Sequence, residues 1–125
     1  MSLMASHLLC EGRPRAHLLG REGERLAARF LERRGYRVLG SGFRARRGEI
    51  DLVCRRGDRL VLVEVKTRSS DRFGTPAEAV GARKRRALLA AAAEYRALAG
   101  WRGPIEWLVV AVRPGREPEL FENPW

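Results

Sequence analysis

Four charged side chains interrupt two apolar segments of this chain, where charge is costly. Glu64 and Lys66 lie within the run VLVEVK, and Glu49 and Asp51 alternate with apolar residues in EIDLVC. Buried charge needs a partner, a hydrogen bond or a metal. Mg²⁺ suits carboxylate oxygens and usually binds one or two of them together with waters and substrate phosphates. A neighbouring lysine can orient water or stabilise charge on a phosphate. The pattern therefore favours a metal-dependent phosphodiesterase site over a solvated ion pair.

A predicted hairpin positions these charges. The tight-turn signal Arg56-Gly57-Asp58 separates the two segments. Because strand side chains alternate between faces, Glu64 shares a face with Lys66, and Glu49 shares one with Asp51. If residues 57 and 58 form the turn, Asp51 lies opposite Glu64 and Glu49 opposite Lys66. If the turn is centred one residue earlier, Glu49 meets Glu64. Either register gathers three carboxylates and one lysine on one face.

The remaining elements predict an α/β fold. A helix is expected on each side of a mixed four- to five-stranded sheet, in the order α-β-β-β-α-β-β. Residues 1–18 are expected to form a flexible N-terminal arm, and residues 19–125 a single domain. The predicted elements outside the hairpin are a helix over 21–34 ended by Gly35, a strand over 36–39, a basic loop over 40–47, a helix over 76–98 that follows a capping box at 75–78, a strand over 105–112 and an edge strand over 119–121.

Charge and composition narrow the class of partner. The chain has 125 residues and a formal net charge of +10, which favours a nucleic acid partner. Lys66 and Lys84 are the only lysines among 25 basic residues, which indicates that Lys66 serves a role that suits a compact, flexible point charge better than a planar guanidinium. The sequence contains no apolar run of membrane-spanning length and no secretory signal, so we expect no membrane partner and a cytoplasmic location. Cys10 and Cys54 form no zinc-binding or disulfide pattern.

The charged segments also resemble a known family. GEIDLV followed by VLVEVKTR resembles the D-(x)n-E-x-K signature of the PD-(D/E)XK, or restriction-endonuclease-like, nuclease superfamily. From about residue 20 onward the chain is similar to the YraN-like family, also called uncharacterised protein family 0102, whose fold resembles that of archaeal Holliday-junction resolvases. The blocks that carry this resemblance are GREGERLAARFLERRGYRVL, RRGEIDLV, LVLVEVKTRSSDRFGTPAEAV, RKRRAL and ELFENPW.

The resemblance implies roles for particular residues. Asp51, Glu64 and Lys66 match the catalytic triplet, with Asp51 and Glu64 binding Mg²⁺ or Mn²⁺ and Lys66 assisting the nucleophile. The Val65 carbonyl and Glu24, which follows Gly23 in the first helix, are further implied ligands. Glu49 is either an accessory ligand or a partner of Lys66.

The residues expected to contact nucleic acid lie in the basic loops and in the second helix. Lys84 is compatible with a phosphate contact and equally with a solvated helix lysine. The full set of expected phosphate contacts is Arg44, Arg46, Arg47, Arg68, Lys84 and Arg85. One departure concerns the fourth strand, where Glu106-Trp107-Leu108 replaces the family's usual Arg-Phe-Asp and displaces the acid by two positions.

The leading hypothesis is an endonuclease that acts on DNA rather than RNA, with branched or structured DNA suggested only by analogy of fold. A non-catalytic nucleic-acid-binding module and a basic partner of a larger nucleic-acid machine are the alternatives. Resolvase-like enzymes tend to act as dimers, so the resemblance implies a homodimer, although the sequence shows no clear dimer patch.

Overall fold

A computed structural model describes residues 18–67 and 81–122, which form one mixed sheet with a helix on each face. The strand order is β1-β2-β3-β4-β5; β3 and β4 are parallel and the other neighbours are antiparallel. This confirms the predicted fold class and element order. The elements are α1 (Leu18–Arg33), β1 (Arg37–Arg44), β2 (Glu49–Arg56), β3 (Arg59–Thr67), α2 (Ala82–Ala99), β4 (Ile105–Val112) and β5 (Glu119–Glu122).

Alternating residues of β3 supply two separate cores. Val61 and Val63 pack with Phe30 and Leu31 of α1 on one face. Leu60 and Leu62 pack on the other face, with Tyr95 of α2. Burying one aliphatic side chain fully stabilises the fold by about 1.5–3 kcal/mol. Each helix is therefore held mainly by its apolar contact with one face of the sheet. The parallel β3–β4 pair requires a crossover, and α2 lies within it.

The end of α1 agrees with the glycine signal in the sequence. Gly35 has φ +94°, and its N–H donates to the Glu32 carbonyl at 3.1 Å. The Tyr36 N–H donates to the Leu31 carbonyl at 3.0 Å, which completes a Schellman motif. At its other end α1 already includes Leu18, which was assigned to the N-terminal arm; residues 1–17 lie outside the described part of the chain.

Two predicted boundaries were wrong. The first strand does not stop at Leu39 but continues to Arg44, because a bulge at Leu39 and the positive φ of Gly42 bend the strand without ending its pairing with β2. The described helix α2 begins at Ala82 rather than at Pro76, since Gly81 is extended with φ −82° and ψ 179°. The predicted capping box at 75–78 lies outside the described residues.

Candidate active site

The β2–β3 hairpin sets the first of the two registers considered above. Arg56 pairs with Arg59 across a two-residue turn, and the ladder continues to Leu52 opposite Val63. One further pair would put Asp51 opposite Glu64, but the strict alternation expected along β2 does not hold there, because Ile50 packs on the α2 face and Leu52 on the α1 face. The ladder ends at this point, and the Val65 N–H donates instead to Asp51 Oδ2 at 2.8 Å. A carboxylate thus takes the place of a backbone acceptor where the two strands separate.

Glu64 is a carboxylate inside the protein. Its residue exposure is 5%, and it lies between the buried Val63 and the half-buried Val65 on β3. Strand alternation places it on the face of Leu60 and Leu62, which is the face covered by α2. Desolvating a carboxylate is costly, so its stability in this position depends on its partners.

Two ammonium groups meet at one oxygen of this carboxylate. Lys66 Nζ lies 3.3 Å and Lys84 Nζ 3.1 Å from Glu64 Oε2. The other oxygen, Oε1, is buried and has no hydrogen-bond partner among the described residues. A buried acceptor without a donor is rare and indicates a place for a water or an ion. Glu64 therefore presents one neutralised oxygen and one oxygen available to a further ligand.

The sequence left open whether Lys84 is a solvated helix lysine, and the structure gives its environment. It belongs to the first turn of α2, which covers the Glu64 face of the sheet, and it contacts Glu64 instead of extending only into solvent. Lys84 follows Lys66 by 18 positions in the sequence, and the crossover between β3 and β4 brings the two lysines together. The sequence signal for this contact was the scarcity of lysine, since both lysines of the chain converge on Glu64.

The remaining predicted ligands are distributed around this pair. Glu49 is half-buried at the start of β2, where its Cα partner on β1 is Arg44. Glu24 is 6% exposed on α1, which covers the opposite face from Glu64. Within residues 18–67 and 81–122, no group of three or more His, Cys, Asp or Glu side chains could hold a metal ion. Asp51 contacts β3 through the Val65 N–H, one residue after Glu64.

Gly23 explains how α1 reaches the end of β3. A Cβ at this position would overlap the Thr67 hydroxyl and would lie 3.8 Å from Val65 Cγ1. The absence of a side chain therefore lets the first half of α1 lie directly on the last residues of the strand. Glu24, which follows Gly23, is 6% exposed.

The basic loop between β1 and β2 is fixed against α2. The Arg46 N–H donates to Glu94 Oε2 at 3.2 Å, and the Ala45 N–H donates to the Gly48 carbonyl at 2.9 Å. A Cβ on Gly48 would lie 2.9 Å from the Ala87 carbonyl oxygen, so glycine is required for this close approach.

This docking places the loop against the middle of α2, at Ala87 and Glu94. Arg44 is the last residue of β1, so it belongs to the strand rather than to the predicted loop. Arg46 and Arg47 are exposed in the loop, and Arg85 is exposed on α2. Arg68 lies outside the described residues.

Two further residues are structural. Cys54 is fully buried between the sheet and α1, as expected of a core residue. Burial, with a smaller contribution from Glu32, raises the pKa of its thiol to about 12. Phe43 stacks edge-on against Tyr95 with ring centroids 5.1 Å apart, which joins β1 to α2.

No described helix is long and apolar enough to cross a membrane.

Comparison with known proteins agrees with the resemblance in the sequence. A family described as "Uncharacterised protein family UPF0102" matches residues 23–112, which run from Gly23 to the last residue of β4. A UPF0102 protein from Anaeromyxobacter dehalogenans is 50% identical over 108 residues, covering 85% of this chain and 81% of that protein. Another from Symbiobacterium thermophilum is 47% identical over 103 residues, covering 82% of this chain and 87% of that protein. The chain therefore belongs to the YraN-like family UPF0102, within the restriction-endonuclease-like superfamily.

Proposed function

We propose that this protein is a Mg²⁺-dependent endonuclease that hydrolyses phosphodiester bonds in DNA. The observation that carries the proposal is the buried Glu64, with one oxygen on two lysines and the other without a donor among the described residues, next to the Val65 N–H that donates to Asp51. An ordinary surface ion pair requires neither the burial nor the second ammonium.

The donor set is compatible with a hard divalent cation. Asp51 and Glu64 would hold Mg²⁺ or Mn²⁺, and two carboxylates are enough because Mg²⁺ retains waters and substrate oxygens. The Val65 carbonyl and Glu24 remain ligands implied by the family resemblance. Such an ion supplies Lewis acidity and an activated water at neutral pH.

Lys66 is the candidate catalytic cation. Its side chain is 17% exposed, so its ammonium lies in a poorly solvated site where charge interactions are stronger than in water. An ammonium held beside the metal-binding Glu64 would stabilise negative charge developing on a phosphate, and would orient the attacking water. The carboxylate also keeps Lys66 in place without a bound substrate.

The basic surface is suited to a phosphate backbone. Arg46 and Arg47 belong to a loop held against α2 by the Gly48 and Glu94 contacts, Arg44 ends the preceding strand, and Arg85 is exposed on α2. With a net charge of +10, the chain should attract a polyanion and bind it in a salt-dependent manner. DNA is favoured over RNA, and a branched substrate over linear duplex, by analogy with resolvases alone.

The test combines metal binding with cleavage. Calorimetry with Mg²⁺ and Mn²⁺ compares the native chain with Asp51→Asn, Glu64→Gln and the exposed control Glu22→Gln. The same four proteins are incubated with linear, flapped and four-way-junction DNA and with an RNA duplex. We expect binding and cleavage in the native chain and the control only.

Two outcomes would contradict the proposal. DNA binding without metal binding would leave a non-catalytic binding module on a nuclease fold. Low affinity for every DNA would indicate a partner of a larger nucleic-acid machine.

Gel filtration across a range of concentrations tests the expected homodimer.

A further inference from the structure

Both lysines of this arginine-rich chain contact the same atom. Lys66 and Lys84 lie 3.3 and 3.1 Å from Glu64 Oε2. The Glu64 carboxylate carries one negative charge, which one ammonium neutralises. The three side chains Glu64, Lys66 and Lys84 taken together therefore carry one net positive charge. Two ammonium groups at one oxygen also repel each other. The second lysine is therefore not needed to neutralise Glu64.

The two lysines differ in how easily each can leave. The Lys66 side chain is 17% exposed and lies on β3 itself, two residues from Glu64. Separating it from Glu64 would leave a charge largely cut off from water, which is costly. The Lys84 side chain is 45% exposed and lies on α2. Water can solvate its ammonium once the contact breaks, so little free energy is lost.

We propose that Lys84 is an exchangeable counter-ion of Glu64. In the metal-free protein it shares the Glu64 carboxylate with Lys66. When a divalent cation binds Glu64, the ammonium is displaced and contacts a non-bridging phosphate oxygen of the bound nucleic acid. This inference rests on the proposed function, because it assumes that Glu64 holds the metal.

The geometry and chemistry of lysine support this exchange. Oε1 is the oxygen without a donor among the described residues, so a cation can approach it while both ammonium groups remain at Oε2. The cation then repels the more mobile ammonium. A flexible four-carbon stem lets that ammonium move without the helix, whereas a planar arginine fork would suit a fixed bidentate contact.

The first test measures metal affinity without nucleic acid. Calorimetry with Mg²⁺ compares the native chain with Lys84→Gln, the charge-preserving Lys84→Arg, and Arg102→Gln, which removes an exposed charge from the loop before β4. We expect Lys84→Gln to bind Mg²⁺ roughly three- to tenfold more tightly, since it removes a competing positive charge. The other two variants should keep the native affinity. Weaker binding by Lys84→Gln would show that Lys84 positions Glu64, and would overturn the exchange.

The second test measures affinity for a short DNA duplex by fluorescence anisotropy, in EDTA and in Ca²⁺, which takes the same oxygen ligands. In EDTA, Lys84→Gln should bind as tightly as the native chain. In Ca²⁺ it should bind roughly three- to tenfold more weakly, because only then does Lys84 reach a phosphate. Arg102→Gln should show no such difference. An equal loss in both conditions, or no loss in either, would overturn the exchange.

The two proposals fail in different ways. A native chain that binds no divalent cation overturns both. A native chain that binds metal and cleaves DNA, with Lys84→Gln unchanged in both tests, overturns the counter-ion role and leaves the nuclease intact.

Discussion

Glu64→Gln should destabilise the metal-free protein. The substitution keeps the shape of the side chain and removes the negative charge that lies 3.3 Å from Lys66 and 3.1 Å from Lys84. If Glu64 belonged to a cluster of unneutralised acids, removing its charge would relieve repulsion and increase stability. The sign of the stability change therefore reports whether the two ammonium groups hold this carboxylate.

The magnitude follows from the burial of each partner. Removing one member of a fully buried ion pair costs about 3–5 kcal/mol, because the other charge is left unpaired. Lys66 retains 17% exposure and is partly rehydrated, and the half-exposed Lys84 adds at most about 1 kcal/mol. Removing the charge also relieves the desolvation of Oε1. We expect a net loss of about 2 kcal/mol.

Urea denaturation in EDTA measures this loss. With a typical dependence on urea for a domain of this size, about 2 kcal/mol moves the midpoint by roughly 1 M. The matched control is Glu22→Gln, whose 60% exposed carboxylate lies 3.5 Å from Arg25 and should contribute less than about 0.5 kcal/mol. A Glu64→Gln protein as stable as the native chain, or more stable, would refute this account of the cluster. Added Mg²⁺ should stabilise the native chain and leave Glu64→Gln unchanged.

Three further predictions concern packing and pH. Gly23→Ala should lower the free energy of unfolding by about 1 kcal/mol, because the new Cβ crowds the Thr67 hydroxyl. In a Thr67→Ala background the same change should stabilise the protein by about 0.5–1 kcal/mol, because alanine favours the helix more than glycine does. A double-mutant cycle in urea measures both effects. Gly48→Ala meets the rigid Ala87 carbonyl at 2.9 Å, so thermal unfolding should reveal a larger loss of about 2 kcal/mol, and an unchanged midpoint would contradict the contact. Burial raises the pKa of the Cys54 thiol to about 12, so the unfolded chain loses this proton at a lower pH than the folded chain. The free energy of unfolding should therefore fall by about 1.4 kcal/mol per pH unit from roughly pH 9 upward. That pH dependence should disappear in Cys54→Ala.

The metal-site hypothesis depends on a hairpin that could be predicted because its cause is local. The turn signal at residues 56–58 predicts that β2 pairs with β3 and leaves two registers open, of which the structure adopts the one with Gly57-Asp58 as the turn. Gly35 ends α1 for a similarly local reason, since it adopts φ +94° without strain. The hairpin itself could therefore be derived from the order of residue types, whereas the break in alternation between Ile50 and Leu52 could not.

Boundaries that depend on competition between elements were harder to predict. The glycines of β1 indicated a loop, but pairing with β2 holds the strand together across the bulge at Leu39. Pro76 and its neighbours indicated a helix start, while the described helix begins after the extended Gly81. In β1 a local signal was read as the end of an element, and pairing in the folded chain decided otherwise; Pro76 lies outside the described residues.

The residue types at the candidate site and the pairing of β2 with β3 across a tight turn follow from the sequence alone, because each depends on neighbours a few residues away. The structure decided which of two registers the hairpin adopts. The tertiary structure decided that Lys84 contacts Glu64, that Glu24 approaches from the opposite face, and that the basic loop lies against α2. These arrangements join elements separated by a crossover or by the thickness of the sheet. They depend on how two helices pack on opposite faces of the same strands, which no local pattern specifies.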